Sequence, residues 1–263
     1  MNAETRSSPG SHGALGPRLE RAARLLGQRV AGWEHSAKWH LTSSRTDSNR
    51  RVVGFRLDGL DESAWAELLG SLAAPPSVAT ALFIDLHRAN FGYLATEAMG
   101  AKAYLEFPAR LQEASPRGRV RWAPPGLWAR AVKWRFDESR VRHTEYWLVP
   151  GATLAGFAGE LHRDDPGHPL LGMLEALNQR RPLASVDPDC VTLYEVRHDD
   201  GARAWDLNVY GFECRIDRGL IEAFDWSQAP ADANGALLGH VAAGRDRHGE
   251  AYRTVYWRVD QPR

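Results

Sequence analysis

The chain has 263 residues and carries 33 Lys+Arg against 33 Asp+Glu, so its formal net charge is zero. That balance argues against a general nucleic-acid binder, which needs a basic surface to displace counterions. The two cysteines, Cys190 and Cys214, have no metal-ligand spacing, and no apolar run is long enough to span a bilayer, so the expectation is a cytoplasmic monomer that binds neither membrane nor nucleic acid.

Residues 1–16, rich in Ser, Gly and Pro, read as a disordered leader ahead of a single domain over 17–263. Apolar spacing at Leu19, Ala22, Ala23 and Leu26 predicts a helix over 17–32. A hairpin follows at 33–59, with its polar turn placed at Thr46–Asn49. Asp61 is placed as the N-cap of a helix over 60–73. A second paired-strand pattern spans 79–108, with a long connection at about 89–98, and 107–128 reads as loop or short helix. The third hairpin covers 129–151. Two helical patterns, "GATLAGFAGELHR" and "PLLGMLEALNQR", then flank "DDPGHP". The motif "HRDDPGH" reads as a turn, and no metal ligands are assigned anywhere in the chain. The fourth hairpin, 191–216, turns at "DDG", and the fifth, 237–260, turns at "DRHG". A further helical pattern, "GLIEAFDWSQAP", separates them.

Five antiparallel hairpins between helices predict an α+β fold: a closed ten-stranded antiparallel β-barrel with helices on its outside. An open sheet with helices on one side is the alternative. Strand alternation gives each hairpin one polar face. Glu34, Ser36, Lys38 and His40 share one such face, and Lys102, Tyr104 and Glu106 another. Lys133 and Arg135 share a third, Asp206, Asn208 and Tyr210 a fourth, and Tyr252, Thr254, Tyr256 and Arg258 a fifth. Solvated faces mix Lys with Glu and carry few tyrosines, whereas here Lys, Arg, Tyr and His outnumber the carboxylates. Cations and phenol hydroxyls together can hold a diphosphate. Aromatic faces can shelter a carbocation, and one carboxylate can take a proton from an acceptor. No "GxxxxGK[ST]" loop is present, which argues against a nucleotide P-loop.

With these residues in place, the sequence resembles the aromatic prenyltransferase barrels built from repeated α-β-β-α units, and among them the cyanobactin peptide prenyltransferases. The segment "WEHSAKWHL" is similar to that family's first strand, and "KAYLEF" to a later one with Tyr104 in a histidine's place. The resemblance implies Glu34 as general base. It also implies Arg51, or its neighbour Arg50, with Lys38, Lys102 and Lys133 as diphosphate ligands, and Tyr104, Tyr210 and Tyr256 as shields for the cation. It also implies an allylic diphosphate donor, Mg²⁺ and a ribosomal peptide as acceptor. Val191 and Thr192 are small where the family often carries a large aromatic, so the donor pocket is expected to have room for a ten-carbon chain, and geranyl is expected over dimethylallyl. A barrel alkylating a small aromatic metabolite, and a non-catalytic ligand- or peptide-binding barrel, remain as alternatives.

Overall fold

The computed structural model describes residues 15–43, 45–107, 126–138, 140–149, 154–180, 182–185, 191–210 and 237–259. Ten strands close into one antiparallel barrel in the order β1-β10-β9-β8-β7-β6-β5-β4-β3-β2. They are β1 (Val30–His40), β2 (Thr46–Arg56), β3 (Phe91–Glu97), β4 (Gly100–Glu106), β5 (Gly126–Arg135), β6 (Val141–Leu148), β7 (Val191–His198), β8 (Arg203–Tyr210), β9 (Leu237–Arg245) and β10 (Ala251–Val259). The expected fold class is therefore correct. Five helices accompany them among the described residues: α1 (Leu15–Leu26), α2 (Glu62–Ser71), α3 (Pro76–Leu86), α4 (Leu154–Asp164) and α5 (Pro169–Arg180).

Local chemistry explains most boundaries. Asp61 accepts the Ala64 N–H at 2.8 Å and starts α2 as expected. Gly201 and Gly249 take positive φ (81° and 77°) in the "DDG" and "DRHG" turns, where a side chain would be strained. The "DDPGHP" segment does break two helices, and His168 Nδ1 accepts the Leu170 N–H at 3.1 Å at the start of α5.

Several boundaries differ from expectation. α1 begins at Leu15, inside the expected leader, and ends at Leu26, so residues 30–32 open β1 rather than continue the helix. β5 begins at Gly126, inside the segment expected as loop or short helix. Residues 79–86 are helical, not a strand, and the second hairpin is only β3 and β4 joined at Ala98–Met99. The run "ATALFIDL" suits either period, and Pro76 in the first turn of α3 starts a helix. Val78, Leu82, Asp85 and Leu86 are then buried at helical spacing. Buried Asp85 pairs with Arg130 of β5 at 2.5 Å, which ties α3 to the barrel wall. In the first hairpin Thr46–Asn49 lies in β2, and the chain reverses before it, with Trp39 opposite Thr46. Polar residues survive in this strand because it ends at the barrel rim. The leader through residue 14 and the pattern at 219–230 lie outside the described residues, as does 108–125.

Outward side chains form two apolar layers under the helices. One joins α1, α2 and α3 to the first half of the barrel through Leu19, Trp65, Leu82, Phe55, Leu105 and Trp134. The other joins α4 and α5 to the second half through Phe157, Leu174, Leu177, Leu193, Val241 and Trp257. With the outer face dry, the alternate residues point into the lumen. No described helix is long and apolar enough to cross a membrane.

Trp65 is fully buried, with its ring centroid 6.5 Å from that of Phe55. Trp65→Ala should cost about 3–5 kcal/mol. Leu25→Ala, at a side chain 42% exposed, should change stability by under about 0.5 kcal/mol. Denaturant unfolding of both variants checks the pair.

Candidate active site in the barrel lumen

The lumen holds a cavity of about 270 Å³. Small inward residues such as Ala95, Ala129 and Ala242 leave the space that ten strands create. Six of the chain's seven tyrosines line it: Tyr93, Tyr104, Tyr146, Tyr194, Tyr252 and Tyr256. The seventh, Tyr210, pairs with His240 in register, but its side chain lies outside the described residues.

Strand direction divides the site into two ends. Toward the hairpin turns stand the cations. Lys102 Nζ donates to the Tyr146 hydroxyl at 2.8 Å and sits 4.2 Å from the Tyr104 ring centroid. Lys38 Nζ lies 3.7 Å from the centre of the Tyr252 ring. Burial first, then the neighbouring Lys133, pulls the Lys102 ammonium down to about 7. Burial first, then Arg50, pulls Lys38 down to about 8. Lys133 faces Lys102 in register, but its Nζ is held by Glu97 Oε2 at 2.7 Å, so it supports the cluster rather than lining the cavity.

The arginine here is Arg50, not Arg51. Arg51 points outward on β2 and approaches Glu20 of α1 at 3.6 Å. The register Ser36↔Arg50 puts Arg50 on the inward face, above the Tyr256 ring at 6.0 Å. Alternation makes adjacent arginines exclusive choices. Arg50 Nη1 and Ser36 Oγ are both buried without a hydrogen-bond partner. Two orphaned polar atoms on paired residues mark where an anionic ligand would complete the set.

At the other end Glu34 and Glu106 line the cavity with His240 and Arg258. Burial lifts the Glu34 carboxyl to about 7, against the opposing pull of Arg258. Glu106 is also lifted to about 7 by burial, although Trp128 and Tyr93 donate to it. Burial, then Arg258, holds the His240 imidazole down at about 3. Its ring stacks on Tyr256 at 3.9 Å and 10°. Between the two ends a belt of rings runs along one wall: Tyr93 to Tyr104 at 6.3 Å, Tyr104 to Tyr146 at 6.1 Å, and Tyr146 to Tyr194 at 6.1 Å. Tyr252 and Tyr256 face this belt from β10.

Of the expected site residues, Glu34, Lys38, Lys102, Tyr104 and Tyr256 line one cavity. Thr192 pairs with Asn208, which lines it, and Val191 pairs with Val209; the Val191 side chain lies outside the described residues. The large residue on β7 that does line the cavity is Tyr194, one inward position beyond Thr192. Phe83 of α3 packs in the outer apolar layer and does not line the lumen. Sequence reasoning missed Tyr93, Tyr146, Tyr194 and Trp128; strand alternation was the available signal for the tyrosines, whereas Trp128 enters at a β-bulge between Leu127 and Ala129.

A Mg²⁺ ion held by the chain would need carboxylate oxygens beside the diphosphate. At the cationic end Glu97 is engaged by Lys133, and Asp206 is hydrogen-bonded to Tyr252. Among the described residues the lumen offers no cluster of three metal-binding groups, so these residues do not fit a protein-held Mg²⁺.

No family model matches this chain, and no curated protein matches it. Solved structures do. The 5-dimethylallyltryptophan synthase from Streptomyces coelicolor superposes with a TM-score of 0.55 at 15% identity, covering 94% of this chain and 92% of that one. The NotF prenyltransferase superposes with a TM-score of 0.50 at 12% identity, covering 86% of this chain and 80% of that one. This chain has the prenyltransferase-barrel fold. At such identity the likeness extends to the fold alone, and the chemistry must be argued from the lumen.

The raised carboxyl makes a prediction about stability. A carboxylate with folded pKa above its unfolded value binds a proton in the native state that the unfolded chain has lost. Stability is therefore present at low pH and falls as pH rises from about 4.5 to about 7. Glu34→Gln should relieve this cost, gaining on the order of 2 kcal/mol above pH 7. The gain should vanish below pH 4.5. Unfolding curves of both proteins across that range check it.

Proposed function

We propose that the barrel transfers an allylic prenyl group from its diphosphate to a small aromatic acceptor. The observation that carries this reading is one lumen cavity lined by buried cations, six tyrosines and a protonatable carboxylate. Lys38, Arg50 and Lys102, backed by Lys133, hold the diphosphate. The C–O bond of the donor breaks, and its electron pair leaves with the diphosphate toward these cations. The allylic cation lies against the faces of Tyr104, Tyr146 and Tyr256, and the dry lumen keeps water from trapping it. The acceptor ring attacks, forming the new bond to the prenyl carbon. Its displaced proton goes to the Glu34 carboxylate, whose pKa of about 7 suits a base near neutral pH. The charge needed to hold the diphosphate comes from side chains, so the reading runs without Mg²⁺.

The resemblance to cyanobactin enzymes pointed to a peptide acceptor. Two observations favour a small ring instead. The cavity, at about 270 Å³, is at the small end of ligand pockets, which run from about 300 Å³ upward. The solved structure with TM-score 0.55 is named for dimethylallyltryptophan. The same volume favours the five-carbon donor over geranyl.

The test is incubation with dimethylallyl and geranyl diphosphates against tryptophan, tyrosine, simple indoles and phenols, and a peptide panel, with and without a chelator. Mass spectrometry should find one prenyl group added to a small aromatic acceptor. Product on peptides only would reverse the acceptor reading, and binding without product on any acceptor would favour a non-catalytic barrel.

Two variants separate the roles. Lys102→Ala should weaken binding of a non-reactive thio-diphosphate by about 1.5–3 kcal/mol, the worth of a hydrogen bond to a charged group, as read by titration calorimetry. Glu34→Gln should keep that affinity and lose about 10²–10⁴-fold in turnover.

A further inference from the structure

At the barrel rim that carries the hairpin turns, β1 ends on His40, which is only 3% exposed. Its Nδ1 is buried and makes no hydrogen bond. That nitrogen is aimed at two carboxylates of the fifth hairpin. Glu250 Oε2 is 3.1 Å away and Asp246 Oδ2 is 3.9 Å away. All three donor atoms lie within 4.8 Å of one another. None of the three residues lines the lumen cavity.

The carboxylates are held in place by their other oxygens. Asp246 Oδ1 accepts the backbone N–H groups of His248 at 2.8 Å and Glu250 at 3.0 Å. Glu250 Oε1 accepts the Ser43 N–H at 2.8 Å. One oxygen of each is left facing the imidazole. Two carboxylate oxygens thus converge on a buried ring nitrogen.

We propose that His40, Asp246 and Glu250 form a binding site for one divalent transition-metal cation, of the zinc or manganese class. Metal–ligand bonds of about 2.0–2.2 Å set neighbouring donors about 3.0–3.5 Å apart. The His40–Glu250 pair already meets that spacing, and Asp246 reaches it by a small side-chain rotation. Coordination uses the Nδ1 lone pair, so the ring proton sits on Nε2. Asp47 Oδ2, 3.6 Å from Nε2, is placed to accept it, the usual partner of a metal-bound imidazole. Arg45 Nη2 now contacts Nε2 at 2.6 Å. Its side chain is 59% exposed and 3.6 Å from Asp47, so it can turn to that carboxylate instead. No bond is made or broken elsewhere and nothing is oxidised or reduced. The ion would clasp the first hairpin to the last, across the seam where the barrel closes.

The experiment uses the full chain, stripped with a chelator, dialysed and titrated with ZnCl₂ or MnCl₂ by calorimetry, with parallel thermal melts. The expected result is one ion per chain and a higher melting temperature at saturation. Glu250→Gln and Asp246→Asn should each bind about tenfold or more weaker and lose the metal-dependent rise, while their metal-free melts stay near the parent's. Failure of both ions to bind the parent one to one would overturn the site. So would Glu250→Gln binding as tightly as the parent, because the ion would then belong to other histidines.

Discussion

Pairing of the first strand with the last governs this molecule. Eight register pairs, from Trp33↔Val259 to His40↔Tyr252, join β1 to β10 and leave the sheet without an edge. The chain could form five good hairpins without this seam and still lack a site. Closure sets Glu34 opposite Arg258, Ser36 opposite Tyr256 and Lys38 opposite Thr254. It also removes the inward faces from bulk water, which is what moves Glu34 up and Lys102 down from their ordinary pKa values. In an open sheet the same residues would be solvated and chemically ordinary.

The lumen is expensive to fold. Lys38, Arg50 and Lys102 are buried close together, with Glu97 already taken by Lys133. Burial is the largest cost on each of these groups. The stability that offsets it comes from the outside of the barrel, where the helices bury large apolar side chains such as Trp65, Trp134 and Phe107. This division of labour is typical of a ligand site held by a rigid scaffold: the outer shell stabilises, and the inner shell is left under-satisfied. A diphosphate entering the cationic end would offset both the burial and the like-charge crowding that depress Lys102. The same group that destabilises the empty barrel would then favour the loaded one.

Much of this was legible in the alternation. Period-two patterning with Gly-containing turns marked the hairpins, and it correctly put Lys38, Lys102, Tyr104 and Tyr256 each on the polar face of its strand. It failed where two periods fit the same letters. "ATALFIDL" has apolar residues that serve a strand or a helix, and only packing on the barrel selects the helix with Val78, Leu82 and Leu86 inward. It also failed at Arg50 and Arg51. Both suit a diphosphate, and a one-residue change of register exchanges which of them faces it.

By itself the sequence determined the number of hairpins, the capping of α2, the turn glycines and the split of each strand into an apolar and a polar face. Those properties are local, depending on residues a few positions apart. Only the tertiary structure decided that the polar faces meet in one lumen, that Arg50 and not Arg51 enters it, and that Tyr146 and Tyr194 complete the aromatic wall. It alone brought His40 to Asp246 and Glu250, some 200 residues away along the chain. Contacts of that kind depend on strand order, register and closure. These are set by the packing of the whole barrel, and no short stretch of sequence encodes them.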